Sequence, residues 1–184
     1  MSNAFPRVGV LRRGYDPSAV DDFFVDARHA YEGGAPPEEF SSDQVRRATF
    51  FLKRNGYEID SVDSAMCRLE AAFVQRDRAA FIASHGEQAW YEQVAERATT
   101  LYPRLRRPHG ERFSRPAAGE KGYSTEAVDE LLDRLAAFFD DRGDIGVEDI
   151  RHSVFPIARA KSAYAEGPVD AFLGRAIDIL LAVN

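Results

Sequence analysis

The sequence predicts an all-α fold, a tandem-repeat helical bundle of two related halves, and three observations predict it. The pattern Tyr-x4-Val-Asp occurs four times, at Tyr15/Val20/Asp21, Tyr57/Val62/Asp63, Tyr123/Val128/Asp129 and Tyr164/Val169/Asp170. Chance predicts about 0.04 occurrences in a chain of this composition, so the pattern is an internal repeat. Each copy is followed by the same apolar stripe at i, i+3, i+4, i+7 and i+11, the signature of one helix face. The tyrosines at 15 and 57 stand about as far apart as those at 123 and 164, with a longer interval between the pairs, so the copies group two by two.

The elements follow in order. Val20, Phe23, Phe24, Ala27 and Tyr31 mark the first motif helix, and Val62, Ala65, Met66, Leu69 and Phe73 the second. Val128, Leu131, Leu132, Leu135 and Phe139 mark the third, and Val169, Phe172, Leu173, Ala176 and Leu180 the fourth. Asp16 then Pro17 supply an N-cap and a first helical residue, and Ser124 caps the third helix. The aspartate after each valine falls in the first turn or two, where a negative charge suits the helix dipole and faces away from the stripe. Packing and helix initiation therefore explain the motif's Tyr, Val and Asp as structural. Glycine precedes the tyrosine in three copies (Gly14, Gly56, Gly122), where positive φ would suit a tight turn, and Ala163 in the fourth implies a different or strained turn. Ahead of the second and fourth motifs, residues 42–50 and 147–155 match in acidic, branched apolar, arginine and phenylalanine positions, and each is expected to form a short capped helix. A linking helix over 74–101 carries Trp90, Val94, Ala98 and Leu101 on one face, with a break expected at His85-Gly86. Loops are expected at Gly33–Pro37 and at 103–119, and almost no β-structure. The expected division is a first half over 1–102, a basic linker over 103–119 and a second half over 120–184. Copies one and two are expected to pack together within the chain, as are copies three and four, because each stripe is too apolar to leave exposed.

The chain's 184 residues are 45% apolar and 29% charged, with a net charge of −6. That balance opposes non-specific duplex binding by the whole molecule. No apolar run approaches the ~20 residues of a membrane span. The single cysteine, Cys67, and four scattered histidines (His29, His85, His109, His152) suggest neither a disulfide nor a metal site, and no cofactor is implied. The chain has no phosphate-binding glycine loop, no His-Glu-x-x-His and no nucleophile elbow. Carboxylate pairs such as Asp21-Asp22 and Asp140-Asp141 fall on helix ends or outer faces, so an enzyme is not expected. Arg104, Arg106, Arg107, Arg112 and Arg115 form a basic segment, read as a solvated linker that also pairs with acidic helices; with Phe113 its one aromatic, nucleic-acid binding is unlikely.

The segment from Gly14 to Phe24, Gly-Tyr-Asp-Pro-Ser-Ala-Val-Asp-Asp-Phe-Phe, resembles the N-terminal domain of DivIVA, the bacterial pole and septum protein, and the fourfold arrangement is similar to actinobacterial DivIVA-domain repeat proteins. Residues 5–31, 42–75, 111–141 and 147–183 carry the likeness. It implies a cytoplasmic, non-enzymatic scaffold or adaptor in cell division or polar growth, at the inner membrane face of pole or septum. The alternative is a soluble helical protein-interaction module that has lost lipid binding.

This chain departs from the family pattern in two ways. DivIVA-like proteins place an exposed aromatic and an arginine before the Gly-Tyr and insert that pair at the lipid surface; Arg12-Arg13, Arg54-Asn55, Glu120-Lys121 and Lys161-Ser162 stand there instead, without the aromatic. The candidate membrane contact is accordingly Leu11 with Arg12 and Arg13, and Leu52 with Lys53 and Arg54, an apolar-plus-basic surface for anionic lipid. The family's long coiled coil is also missing, because glycines and prolines interrupt the heptads. A monomer with intramolecular repeat pairing or a small homo-oligomer is expected, with protein partners unspecified.

Overall fold

The computed structural model describes residues 4–33 and 40–183, so the loop expected at Gly33–Pro37 lies mostly outside the described residues. In chain order the elements are β1 (Arg13–Tyr15), α1 (Pro17–Tyr31), α2 (Ser42–Arg47), β2 (Leu52–Arg54), α3 (Ile59–His85), α4 (Glu87–Thr99), α5 (Tyr102–Leu105), β3 (Lys121–Ser124), α6 (Thr125–Phe139), α7 (Val147–Arg151), β4 (Ile157–Arg159), β5 (Ala163–Tyr164) and α8 (Glu166–Val183). The chain is mostly helical, and the four long stripes become α1, α3, α6 and α8. The expectation of almost no β-structure is corrected: short antiparallel strands precede the motif helices, pairing β1 with β2 and ordering β4-β3-β5. The stripe analysis missed them because each is only two to four residues long, too short to show alternation.

Contacts divide the chain into two compact units, Met1–Ala80 and Phe81–Asn184. In the first, Val20, Tyr57 and Val62 are buried together, with Phe5, Tyr15, Phe24 and Phe50 packed around them. Ala27, Ala30, Val45 and Phe73 form a second cluster. Stripe residues of copies one and two thus face each other, which removes from water surface worth ~25 cal/mol per Å². Asp16 caps α1 by accepting from the Ser18 N–H at 3.1 Å, with Pro17 at the first helical position. Ser41 and Gln44 form a capping box on α2.

In the second unit, Val128, Leu131, Leu132 and Leu135 of α6 pack with Val169, Phe172, Leu173, Ala176 and Leu180 of α8 in one core. Trp90, Val94, Leu101, Leu105 and Phe113 belong to that core as well. The division therefore falls at Ala80/Phe81, and neither 102/103 nor 119/120 separates compact units. The physical reason is the apolar face of α4, which buries its tryptophan beside α8; the Trp90 Nε1 donates to the Ala182 carbonyl at 3.1 Å. The break at His85-Gly86 is present, with Gly86 at φ 88° ahead of α4.

The two units repeat each other in strand register. Arg13, Gly14 and Tyr15 lie opposite Arg54, Lys53 and Leu52. Lys121, Gly122 and Tyr123 lie opposite Arg159, Ala158 and Ile157. After that ladder the first unit returns to its tyrosine through Asn55 and Gly56, whereas the second uses Ala160, Lys161, Ser162 and Ala163. Asn55 and Ala160 both take φ 52°, so they are the same corner, and Lys161-Ser162 is the insertion. Ala163 itself is extended, at φ −124°. The strain falls at Ala160 instead, because a left-handed alanine costs roughly 1–2 kcal/mol.

Candidate functional site

The motif tyrosines and aspartates form crossed pairs within each unit. The Tyr57 hydroxyl donates to the Asp21 carboxylate at 3.0 Å, and the Tyr15 hydroxyl lies close enough to the Asp63 carboxylate for that charge to raise its ionisation. In the second unit Tyr164 donates to Asp129 at 3.0 Å, and the Asp170 carboxylate lies close enough to Tyr123 to raise its ionisation. Each copy's tyrosine therefore needs the other copy's aspartate, and a single repeat satisfies neither. Asp129 is buried rather than turned outward to solvent, a departure from the first-turn reading of that position. Burial raises the ionisation of all four tyrosines above its ordinary value, and the adjacent carboxylate adds to it.

The glycines before the tyrosines serve close approach, not positive φ. A Cβ on Gly14 would overlap the Tyr57 carbonyl oxygen, and one on Gly122 would overlap the Tyr164 carbonyl oxygen. At that crossing Tyr15 and Tyr57 exchange backbone bonds, N–H to O, at 3.0 and 2.8 Å. The crossing draws the two strands together.

The basic segment over 103–119 is mostly exposed and pairs with an acidic helix as expected, but Leu105, Arg112 and Phe113 within it are buried. Arg112 is only 4% exposed; its guanidinium donates to the Asp129 carbonyl at 2.8 Å and to the Asp133 carboxylate at 2.5 Å. Its backbone N–H donates to the Tyr164 hydroxyl at 3.1 Å, Phe113 packs edge-on against the Tyr164 ring, and the Arg115 guanidinium lies over that ring. The first unit repeats this strap: the Ala4 N–H donates to the Tyr57 hydroxyl at 3.3 Å, Phe5 packs edge-on against Tyr57, and Arg7 lies over its ring. Next to each strap the residue after the tyrosine donates its N–H, Glu58 to Pro6 and Ala165 to Ser114, both at 2.9 Å. The repeat unit thus extends upstream to Phe-x-Arg, spaced alike from Tyr15 and Tyr123, a signal present in the sequence.

The candidate contact residues fall on and beside the paired strands β1 and β2, which α1 and α2 separate in the chain. Leu11 is 89% exposed, at a turn closed by the Arg12 N–H donating to the Gly9 carbonyl at 2.8 Å. The Asn55 N–H donates to the Arg12 carbonyl at 3.1 Å and closes the other side. Arg13 lies opposite Arg54 in the ladder, and Leu52 is half exposed beside them. Lys53 is the exception, because its ammonium reaches the Asp16 carboxylate at 3.3 Å. Two residues missed from the sequence complete the surface: Val10, and Phe51 at 90% exposed. Phe51 is held by its carbonyl, which accepts from the Asp16 N–H at 2.9 Å, while Phe50 turns inward against Tyr15 and Phe23.

The second unit carries a reduced version. Lys121 lies opposite Arg159, Val154 is 88% exposed and Ile157 is more than half exposed. Pro156 takes the place of Phe51, its carbonyl accepting from the Ser124 N–H at 2.8 Å. Two like charges directly opposite in a ladder are destabilising, yet both units keep a cation pair there. Among the described residues Arg12, Arg13, Arg54, Lys121 and Arg159 make no ion pair. No group of His, Cys, Asp and Glu that could hold a metal ion occurs among the described residues, and no helix there is long and apolar enough to cross a membrane.

Comparison with protein-family models, curated proteins and solved structures finds no match.

Proposed function

We propose that this protein is a non-enzymatic scaffold or adaptor of the DivIVA-domain repeat type, associated with bacterial cell division or polar growth, that touches an anionic membrane surface through the paired strands β1 and β2. The observation that carries the reading is the pairing of β1 with β2, which sets Arg13 opposite Arg54 with Arg12 beside them, and leaves Val10 and Leu11 exposed at one end of the ladder and Phe51 and Leu52 exposed at the other. Apolar side chains that enter the acyl boundary and cations that stay at the headgroups are what an interfacial contact needs, and each cation adds about 1 kcal/mol near an anionic leaflet. The cross-strand Arg13/Arg54 repulsion is relieved when phosphates lie over it.

Co-sedimentation with phosphatidylglycerol vesicles at ~50 mM salt is the test. Pelleting is expected, with a loss of roughly thirtyfold in affinity for the Arg12→Ala/Arg13→Ala double variant and a further loss for Phe51→Ser. No pelleting of the wild-type chain at that salt would reject the membrane contact and favour the second reading, a soluble helical interaction module. Two features favour that alternative: the overall charge of −6 and the engagement of Lys53 by Asp16. A uniform signal of the fluorescently tagged protein in its native cell would count against a polar or septal role.

A further inference from the structure

The sheet of the second unit ends on an open edge. The strand order is β4-β3-β5, so β4 has a partner on one side only. In an antiparallel ladder, residue pairs that exchange backbone hydrogen bonds alternate with pairs that exchange none, and the N–H and C=O of the latter point away from the partner strand. The Ser124 N–H donates to the Pro156 carbonyl, which makes Ser124/Pro156 and Gly122/Ala158 the bonded pairs and Tyr123/Ile157 and Lys121/Arg159 the others. The N–H and C=O of Ile157 and Arg159 therefore face outward, and no described residue bonds them. Pro156 lacks a donor that would have faced β3, so the open edge keeps its own. The Ile157 and Arg159 side chains lie two residues apart on one face of β4, and Lys121 stands directly opposite Arg159. Ile157, Arg159 and Lys121 are exposed, and Lys161, in the two-residue insertion that follows, is a third exposed cation.

We propose that the open edge of β4 takes an extended acidic segment of a partner protein as an added strand. The inference rests on the adaptor reading given above, for which it names the chemistry of one partner, and it is independent of the lipid contact at β1 and β2. Outward N–H and C=O groups supply the pairing, and side chains at alternate positions select the sequence. The partner residue opposite Arg159 carries a carboxylate, which reaches Arg159 and Lys121 together and relieves their cross-strand repulsion. The residue two places further along, opposite Ile157, is apolar. A second copy of this edge is the wrong occupant, because its cations would face these cations. Lipid is a poorer one, because Pro156, Ala118 and Gly119 stand where the first unit has Phe51, Val10 and Leu11, and a headgroup offers no ladder to the backbone.

The experiment uses the full chain, isotopically labelled, and the capped pentapeptide Thr-Glu-Thr-Val-Thr as probe. Saturable shifts are expected at the amides of Ile157 and Arg159 at ~50 mM salt, weakened at ~500 mM, and lost when the probe is N-methylated at its glutamate and valine. The Lys121→Glu/Arg159→Glu double variant is expected to bind this probe about tenfold more weakly and to bind the probe with lysine in place of glutamate instead. Both side chains are exposed and the reversal exchanges one like-charged pair for another, so folding is kept. The proposal is overturned if no saturable shift appears, if N-methylation leaves the affinity unchanged, if the shifts map to β2 alone, or if the double variant does not reverse the preference between the two probes. It is also overturned if the same amides shift on concentrating the protein without peptide, since the occupant is then a second copy, or answer to phosphatidylglycerol vesicles and not to peptide, since it is then lipid. A wild-type chain that does not pellet with vesicles yet shows the peptide shifts rejects the lipid contact alone, so the two failures are told apart.

Discussion

The hydroxyl of each motif tyrosine ends on a carboxylate contributed by the other copy, and this ties the repeat to a pH limit. The tyrosines at 15, 57, 123 and 164 all have ionisation raised by burial, with the folded value above the unfolded one. Their neutral forms are therefore favoured by folding: the stabilisation is fully present below about pH 10 and is lost as pH rises through the folded values. Urea midpoints are expected to fall above about pH 10, and the fall becomes shallower in Tyr57→Phe and in Tyr164→Phe. At pH 7 the two variants differ. Asp21 is half-buried and can turn to water, so Tyr57→Phe costs about 1 kcal/mol, whereas Asp129 is buried and Tyr164→Phe costs about 2–3 kcal/mol. Equal costs, or an unchanged alkaline slope, would show that the crossed pairs do not hold the copies together. The motif residues were legible in the sequence as a repeat, but their partners were not. A helix-period reading places Asp129 outside the apolar stripe, and only the crossing of two copies puts a tyrosine hydroxyl beside it.

At the scale of elements, the four motif helices and the capped α2 and α7 followed from periodicity and end signals, because a stripe of five apolar residues leaves few alternatives. The strands and the straps did not. Their order comes from the close approach that Gly14 and Gly122 permit, a contact between segments far apart in sequence. The strap over residues 112–116 was hidden by its own composition, since arginine-rich segments with proline and glycine ordinarily stay in solvent. What reverses that expectation is one side chain: Arg112 satisfies Asp133 and a helix carbonyl while its backbone reaches Tyr164. Arg112→Ala is expected to destabilise the second unit by about 3–5 kcal/mol, because Asp129 would remain buried without its neighbouring cation. Arg7→Ala in the exposed first strap is expected to cost under about 1 kcal/mol. Denaturant melts of the two variants measure the contrast, and similar small losses would mean that the second strap is held by Phe113 alone.

For the whole molecule, the same crossed architecture is used twice, once with exposed apolar and basic residues at its strand pair and once with that set reduced. Phe51 is replaced by Pro156, and Val10 and Leu11 have Ala118 and Gly119 at their places. The second unit adds to its core what the first lacks, the α4 face with Trp90 and Val94. This gives an asymmetric reporter, since the chain's one tryptophan is buried in the second core. Gly122→Ala drives a Cβ into the Tyr164 carbonyl, a backbone atom that cannot step aside, and costs about 3 kcal/mol or more. Gly14→Ala does the same against Tyr57 in the first unit. In thermal melts followed by Trp90 fluorescence, Gly122→Ala is expected to lower the midpoint by roughly 10 °C or more and Gly14→Ala to leave it within about a degree. Far-UV circular dichroism, which sees helices in both units, is expected to register a loss in each variant. If Gly14→Ala shifts the Trp90 transition as far as Gly122→Ala does, the two compact units unfold as one cooperative body, and variants at β1 and β2 designed to probe lipid contact in the first unit must then be checked for stability across the entire chain.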